Sequence, residues 1–380
     1  MLNDTPNAFV INHNIIVLTS GLLKYIQSPE ALIGVIAHEI GHIKNFHLTK
    51  RKKRIEDMKL LDQISSLATI TTSILSNNPE IFIQSTIASK SQIQNYFSSY
   101  SKNQEREADL FTIQKLNDLK ISSEGLIEFL LSLEKESNKN NMSKDDFMFA
   151  THPSYDDRLD IISNFSNDQY INLDNQFYER FLFIKAKLFG YTENEIEILE
   201  NYLQGDSYDY GQSIILANRG SLLKSLKIIN NLIDKKQDNA YFLETKADIL
   251  FNHGFIVEAK KFYTISLSKN TNNIHIRKRL FYINYENLTF SNHKNVSKVF
   301  QKYSDLVFSY SNDINFYHKW LNIFEILNKE YWILYVNARI DIMSKDKKNA
   351  ILKLKTIIDS SKNTKLIINA NKLINKINVT

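Results

Sequence analysis

The chain has 380 residues, long enough for two well-buried cores, and its 43% hydrophobic and 23% charged residues are the balance of a globular protein. Its net charge of +5 is mixed with acids along the whole sequence, so no nucleic-acid partner is implied, and the lack of cysteine excludes disulfides and thiol chemistry. No run reaches the ~18 apolar residues of a membrane-spanning helix, and the opening MLNDTPNAFV carries no signal-peptide pattern.

Residues 8–19, AFVINHNIIVLT, predict two short strands around a turn at Asn12 to Asn14. Ser28, Pro29 and Glu30 then give a helix start: a hydroxyl cap, a proline in the first turn and an acid near the positive end of the dipole. Leu32, Val35, Ile36, Ile40 and Ile43 are expected to form the apolar stripe of that helix, which carries VIAHEIGHIKNFH over residues 35–47. Gly41 costs about 1 kcal/mol in mid-helix relative to Ala, so a closely approaching backbone is expected there. His47 is expected to be exposed near the helix end. Residues 61–75, LDQISSLATITTSIL, predict an amphipathic helix serving as a lid over a cleft. Further helices are expected over 104–116 and 122–136, and the polar stretch KESNKNNMSKDD (135–146) reads as a loop.

Beyond about residue 170 the pattern is almost wholly helical. Placing Gly220 over Gly254 gives an offset of 34 residues, the tetratricopeptide period. Ala247, Leu250, Gly254, Ala259 and Tyr263 then fall where that repeat wants small or bulky residues. Ser213, Leu216, Gly220, Ser225 and Ile229 stand one period earlier, and Ala338, Ala350 and Leu354 give a weaker match. Residues 280–329 are too degenerate to set a register. Helical hairpins of this kind bury their faces only on neighbours, so a stacked array with a concave groove is expected.

The chemistry centres on His38, Glu39 and His42. On a helix, positions i and i+4 share a face, so the two histidines can bind one metal ion with Glu39 beside it. A catalytic zinc usually has three protein ligands and an open position, so a third is needed. NQEREADLF supplies Glu105, with Asp109 one turn on to accept the second N–H of a ligand histidine. The plainer reading of that run is a solvated charged face. In THPSYDDR, Pro153 biases His152 toward extended backbone, with Arg158 six positions on; a loop residue is the plainer reading of His152. His13, His253, His275, His293 and His318 have no partners at ligand spacing and receive no role.

Together HEIGH, Glu105-Arg106-Glu107-Ala108-Asp109, the segment Thr151, His152, Pro153 to Arg158, and Asn7-Ala8-Phe9 resemble the zinc endopeptidases of metallopeptidase family 48 over about residues 5–165. That family includes the CAAX prenyl endopeptidases and HtpX. The resemblance implies a gluzincin-type α+β catalytic domain over 1–170 with a short β-hairpin; with the tetratricopeptide-like α-solenoid that the repeat period predicts over 171–380, the fold is expected to be mainly α. The resemblance also implies one Zn2+ per chain held by His38, His42 and Glu105, with Glu39 as general base. By the same match Asp109 orients a ligand histidine, and His152 and Arg158 lie near the metal. A catalytic domain without long apolar helices, followed by repeats, looks like the BepA-like branch of periplasmic proteases and chaperones of outer-membrane barrel assembly.

Protein or peptide substrates and outer-membrane assembly machinery at the repeat groove are the expected partners, and the periplasm the expected compartment. The leader of that branch is missing from this sequence, so the start is expected to lie inside a longer protein. Two rivals stand beside this reading: a tetratricopeptide chaperone or scaffold with little proteolysis, and a cytoplasmic metalloprotease with another client.

Overall fold

Apolar residues, most of them β-branched or aromatic, form the N-terminal hairpin: β1 (Ala8–Ile11) pairs antiparallel with β2 (Ile15–Leu18), Ala8 opposite Leu18 and Ile11 opposite Ile15. β1 is buried along its length and β2 only in part. Asn7 closes the open end, its N–H donating to Thr19 Oγ1 at 2.8 Å while Thr19 N–H donates to the Asn7 carbonyl at 3.0 Å. The same hydroxyl caps α1 (Ser20–Tyr25) by accepting from Leu22 N–H. The computed structural model describes residues 6–11, 15–47, 102–139, 155–165, 170–171 and 173–379, apart from 310 and 312. The helix expected over 61–75 and residue His152 lie outside these.

α2 (Pro29–Lys44) begins where Ser28 Oγ accepts from Ala31 N–H at 3.2 Å, and Pro29 sits in the first turn, where its missing N–H has no partner to lose. Its buried face follows the expected aliphatic stripe only in part, at Leu32 and Val35. Ala31, Val35, His38, Glu39, Gly41 and His42 are buried, whereas Ile40 is 39% exposed. The reason is the small residues on the histidine side, which let other helices come close. A Cβ on Gly41 would lie 3.0 Å from Ala108 Cα and 3.1 Å from its carbonyl oxygen, so α3 (Lys102–Leu119) crosses α2 there in near-backbone contact. At Gly34 a Cβ would meet Leu126 of α4 (Glu124–Lys139) at 3.0 Å.

α4 continues through Lys139, so the first part of the polar stretch expected to be loop is helical. Lys135 and Glu136 are good helix formers, and a last turn needs no apolar residue. α5 (Tyr155–Phe165) and α6 (Asn175–Thr192) complete this region. Leu22, Val35, Leu126, Phe129, Ile162 and Phe181 share one core. α6 is tied to it by polar contacts too. Tyr178 Oη donates to Glu30 at 2.5 Å, and Lys185 Nζ donates to the Ile26 carbonyl at 2.8 Å.

The chain divides into two compact units, Met1–Ile215 and Leu216–Thr380. The helices that follow α6 are α7 (Gly205–Asn218), α8 (Leu222–Lys235), α9 (Ala240–Asn252), α10 (Ile256–Lys269), α11 (Ile274–Glu286), α12 (His293–Tyr303), α13 (Ile314–Ile326), α14 (Glu330–Met343), α15 (Lys347–Ser360) and α16 (Thr364–Val379). The fold is thus mainly helical, a short hairpin followed by many helical hairpins.

Within the second unit Ser225, Ile229, Ala247, Ala259, Tyr263 and Ala350 are all fully buried. Gly220 and Gly254 take φ of +80° and +85° in tight turns, where the next residue's N–H reaches back to Leu216 and Leu250 respectively. Asn328 (φ 50°) and Lys345 (φ 63°) do the same before α14 and α15. The register is unreadable over 280–329 for this reason: the turn residues there are not glycine, and Asn328 falls beyond the position two periods after Gly254. The centre of this unit is aromatic. Trp320 lies between Phe281 and Phe324, stacked at 4.5 and 5.2 Å between centroids.

Candidate metal centre

The close crossing of α2 and α3 brings three ligand-type side chains together. His38 Nε2 and His42 Nε2 lie 3.0 Å apart, and the two Glu105 carboxylate oxygens lie 3.3 Å from His38 Nε2 and 3.4 Å from His42 Nε2. All three residues are buried, as is Glu39 beside them. Gly41 and Ala108 make this possible: with larger residues at the crossing, Glu105 could not reach the rings.

On the far side of His38, its Nδ1 lies 2.8 Å from Asp109 Oδ1. Asp109 is gripped in turn by Arg158 from α5, which donates from Nε to Oδ2 at 3.0 Å and from Nη2 to Oδ1 at 2.9 Å. Arg158 Nη1 is buried and makes no hydrogen bond among the described residues. Burial works against the charge on Asp109, but Arg158 and then His38 outweigh it and hold the carboxyl below the usual carboxylate range. Burial likewise opposes the charge of Arg158, and Asp109, then Glu105, raise its pKa. For His38, burial and Arg158 oppose protonation, while Asp109 and Glu105 favour it and prevail.

His47 corrects the expectation of an exposed residue. It is fully buried, with Nδ1 2.8 Å from His42 Nδ1 and Nε2 2.9 Å from Glu107 Oε2. Phe46 is the cause: its left-handed φ of 55° turns the chain back beneath the helix end. Hydropathy carries no sign of such a turn, since Phe rarely adopts it. The lone signal in the sequence is the third histidine itself, five positions after His42.

The donor set can be tested for a metal ion. A carboxylate only accepts, so His38 donates its Nδ1–H to Asp109 and turns Nε2, which carries a lone pair when the ring is neutral, toward His42 and Glu105. That lone pair then converges with His42 Nε2 and with two carboxylate oxygens, all within 3.0–3.4 Å. Acceptors packed so closely in a dry interior favour a positive charge among them, which a proton or a metal ion can supply. Bonds of about 2.0–2.1 Å at tetrahedral angles put ligand atoms roughly 3.3 Å apart, so the set suits zinc. A second cluster forms around His275, which was expected to be partnerless but lies 3.6 Å from Asp248, with Glu244 close by. There Tyr263 Oη and Asn273 Nδ2 already donate to the two carboxylates.

Beside the first site a cavity of about 410 Å³ runs along α3 and α5, reaching Glu105, Asp109 and Arg158.

Known proteins resemble this chain over much of its length. The chain is 27% identical over 259 residues to the beta-barrel assembly-enhancing protease of Yersinia pestis, covering 65% of this chain and 52% of that protein. The corresponding protein of Escherichia coli (strain K12) is 24% identical over 257 residues, with the same coverage. A protease HtpX homolog from Persephonella marina is 52% identical over a short stretch of 46 residues, 11% of this chain and 16% of that one. The chain spans about half the length of the assembly-enhancing proteases it matches. His38, Glu39, His42, Glu105, Asp109 and Arg158 all fall in residues 1–166, and that stretch matches Peptidase family M48.

Proposed function

We propose that the chain is a zinc-dependent metalloendopeptidase that cleaves misfolded or unassembled proteins. Residues 1–170 form its catalytic domain and residues 171–380 a repeat domain that holds clients. The observation that carries this reading is the buried triangle of His38, His42 and Glu105 with Glu39 alongside. A zinc ion held by these three residues supplies a charge that acidifies a water and polarises a carbonyl.

The remaining work falls to the chain's own side chains. Glu39 takes a proton from the attacking water and returns it to the leaving amine. Asp109 holds the His38 ring, and Arg158 fixes Asp109. Arg158 Nη1, which has no other partner among the described residues, and His152 are the donors offered to the developing oxyanion. Substrate adds as an extended strand beside the hairpin, where β2 is the more exposed strand, and main-chain pairing makes binding tolerant of sequence.

The relatives are named for enhancing β-barrel assembly. Protein quality control in the periplasm of a Gram-negative envelope, with the repeats engaging the outer-membrane assembly machinery, is the role this supports. The match to them is longer than the family stretch, so it takes in part of the repeats.

The test compares the parent with Glu39→Gln and Glu105→Gln for zinc content and casein cleavage. Glu39→Gln should keep about one zinc per chain and lose proteolysis, and Glu105→Gln should bind zinc more weakly. Casein cleavage by Glu39→Gln at the parent's rate overturns the mechanism. A zinc-loaded parent that binds unfolded casein without cutting it favours a chaperone instead.

A further inference from the structure

Behind His42 the polar contacts continue away from the metal-facing nitrogens. His42 Nδ1 meets His47 Nδ1 at 2.8 Å, the rings standing edge to face with centroids 5.0 Å apart. His47 Nε2 meets Glu107 Oε2 at 2.9 Å, and the Glu107 side chain is 50% exposed. Because a carboxylate only accepts, the proton of the outer contact sits on His47 Nε2. With a metal ion on His42 Nε2, the one N–H of that ring must lie on Nδ1, and His47 Nδ1 accepts it. The proton between the rings therefore sits on His42 Nδ1, and His42 Nε2 turns its lone pair toward Glu105 and His38.

We infer that His47 and Glu107 are positioning residues of the metal centre, Glu107 setting the tautomer of His42 through His47. Asp109 does this for His38 in one contact; His42 is served in two. The two carboxylates stand on the same helix, Glu107 and Asp109 on either side of the Ala108 that touches Gly41. The crossing that brings Glu105 to the rings thus also delivers both orienting groups. A histidine that merely filled space would need neither a ring nitrogen at 2.8 Å nor a carboxylate beyond it. The inference rests on the reading of His38, His42 and Glu105 as zinc ligands.

Removing a group that orients a ligand histidine typically costs 10–100-fold in metal affinity. His47→Phe keeps a buried ring but breaks the relay, and Glu107→Leu removes its anchor at a half-exposed position where folding is least at risk. Both should weaken zinc binding by ~10–100-fold in competition with a chromophoric chelator. His47→Gln retains an acceptor for His42 and a donor for Glu107, and should restore affinity toward the parent's. In the zinc-free protein, nitrogen–proton correlation spectra of the imidazoles should show His42 as the Nδ1–H tautomer in the parent and in His47→Gln. The same resonance should be a mixture in His47→Phe and Glu107→Leu. Parent affinity and an unchanged tautomer in Glu107→Leu overturn the inference while the metal reading stands. A parent that binds no zinc overturns both.

Discussion

Asp109 shows how one side chain can settle several questions at once. It is buried and ionised, a costly state unless paired, and Arg158 supplies a two-pronged partner. That pair fixes the position of the carboxylate, which then fixes His38. Arg158 therefore acts on the metal centre largely through Asp109. Lysine could match its charge but not its fork. His152 poses a sharper choice. If it caps the metal at rest, His152→Ala should raise proteolysis; if it donates to the oxyanion, kcat should fall by ~10²–10³-fold. Self-cleavage measured on His152→Ala and His152→Arg separates the two, and parent rates in both leave an inert loop residue. The cap is the outcome we expect if the proposed function holds, since a protease acting beside folding clients must be idle most of the time.

Helix contacts decide whether those residues meet at all. Gly41→Val would press a branched side chain against Ala108 backbone, which cannot yield as a flexible side chain does. Overpacking of this kind costs about 1–3 kcal/mol. Chemical denaturation should show that loss, with weaker zinc binding because Glu105 moves with α3. The crossing is legible in the sequence, because a glycine in mid-helix weakens the helix and is worth that loss where a neighbouring backbone needs the room. The start of α2 is equally legible from Ser28 and Pro29. Its buried face is legible only in part: the aliphatic residues suggest one side, and the approach of α3 chooses the side carrying the histidines. A similar tertiary choice buries Lys185 on α6 among Phe181, Phe189 and Tyr202, and burial pushes its amine down to about 8. An unfolded lysine titrates near 10.4. Between those values the unfolded chain binds more protons, so stability should rise as pH climbs from about 8 toward about 10, and the cost of the buried charge is fully present below that window. Denaturation midpoints of Lys185→Met should be higher than the parent's at neutral pH and flat across that window. A slope equal to the parent's would place the titrating group elsewhere.

At the scale of the whole molecule, the two units have separate cores and separate chemistry. Every proposed metal ligand and orienting group lies in Met1–Ile215, whereas both tryptophans, Trp320 and Trp332, are buried in Leu216–Thr380. Fluorescence excited selectively at tryptophan therefore reports on the second unit, and far-ultraviolet circular dichroism reports on the helices of both. Bound zinc stabilises only the state that holds it, by about 2.7 kcal/mol at a free concentration one hundred times the dissociation constant. If the units unfold independently, a chelator should lower the melting temperature of part of the dichroism signal and leave the tryptophan transition where it was. If both transitions move together, the metal is coupled to the repeats, and the state of the first unit is felt in the second. Independent unfolding is the expected result, because the aromatic stack around Trp320 is built wholly from its own unit's helices. Under the proposed function, such independence would let the repeats hold a client whether or not the metal is bound.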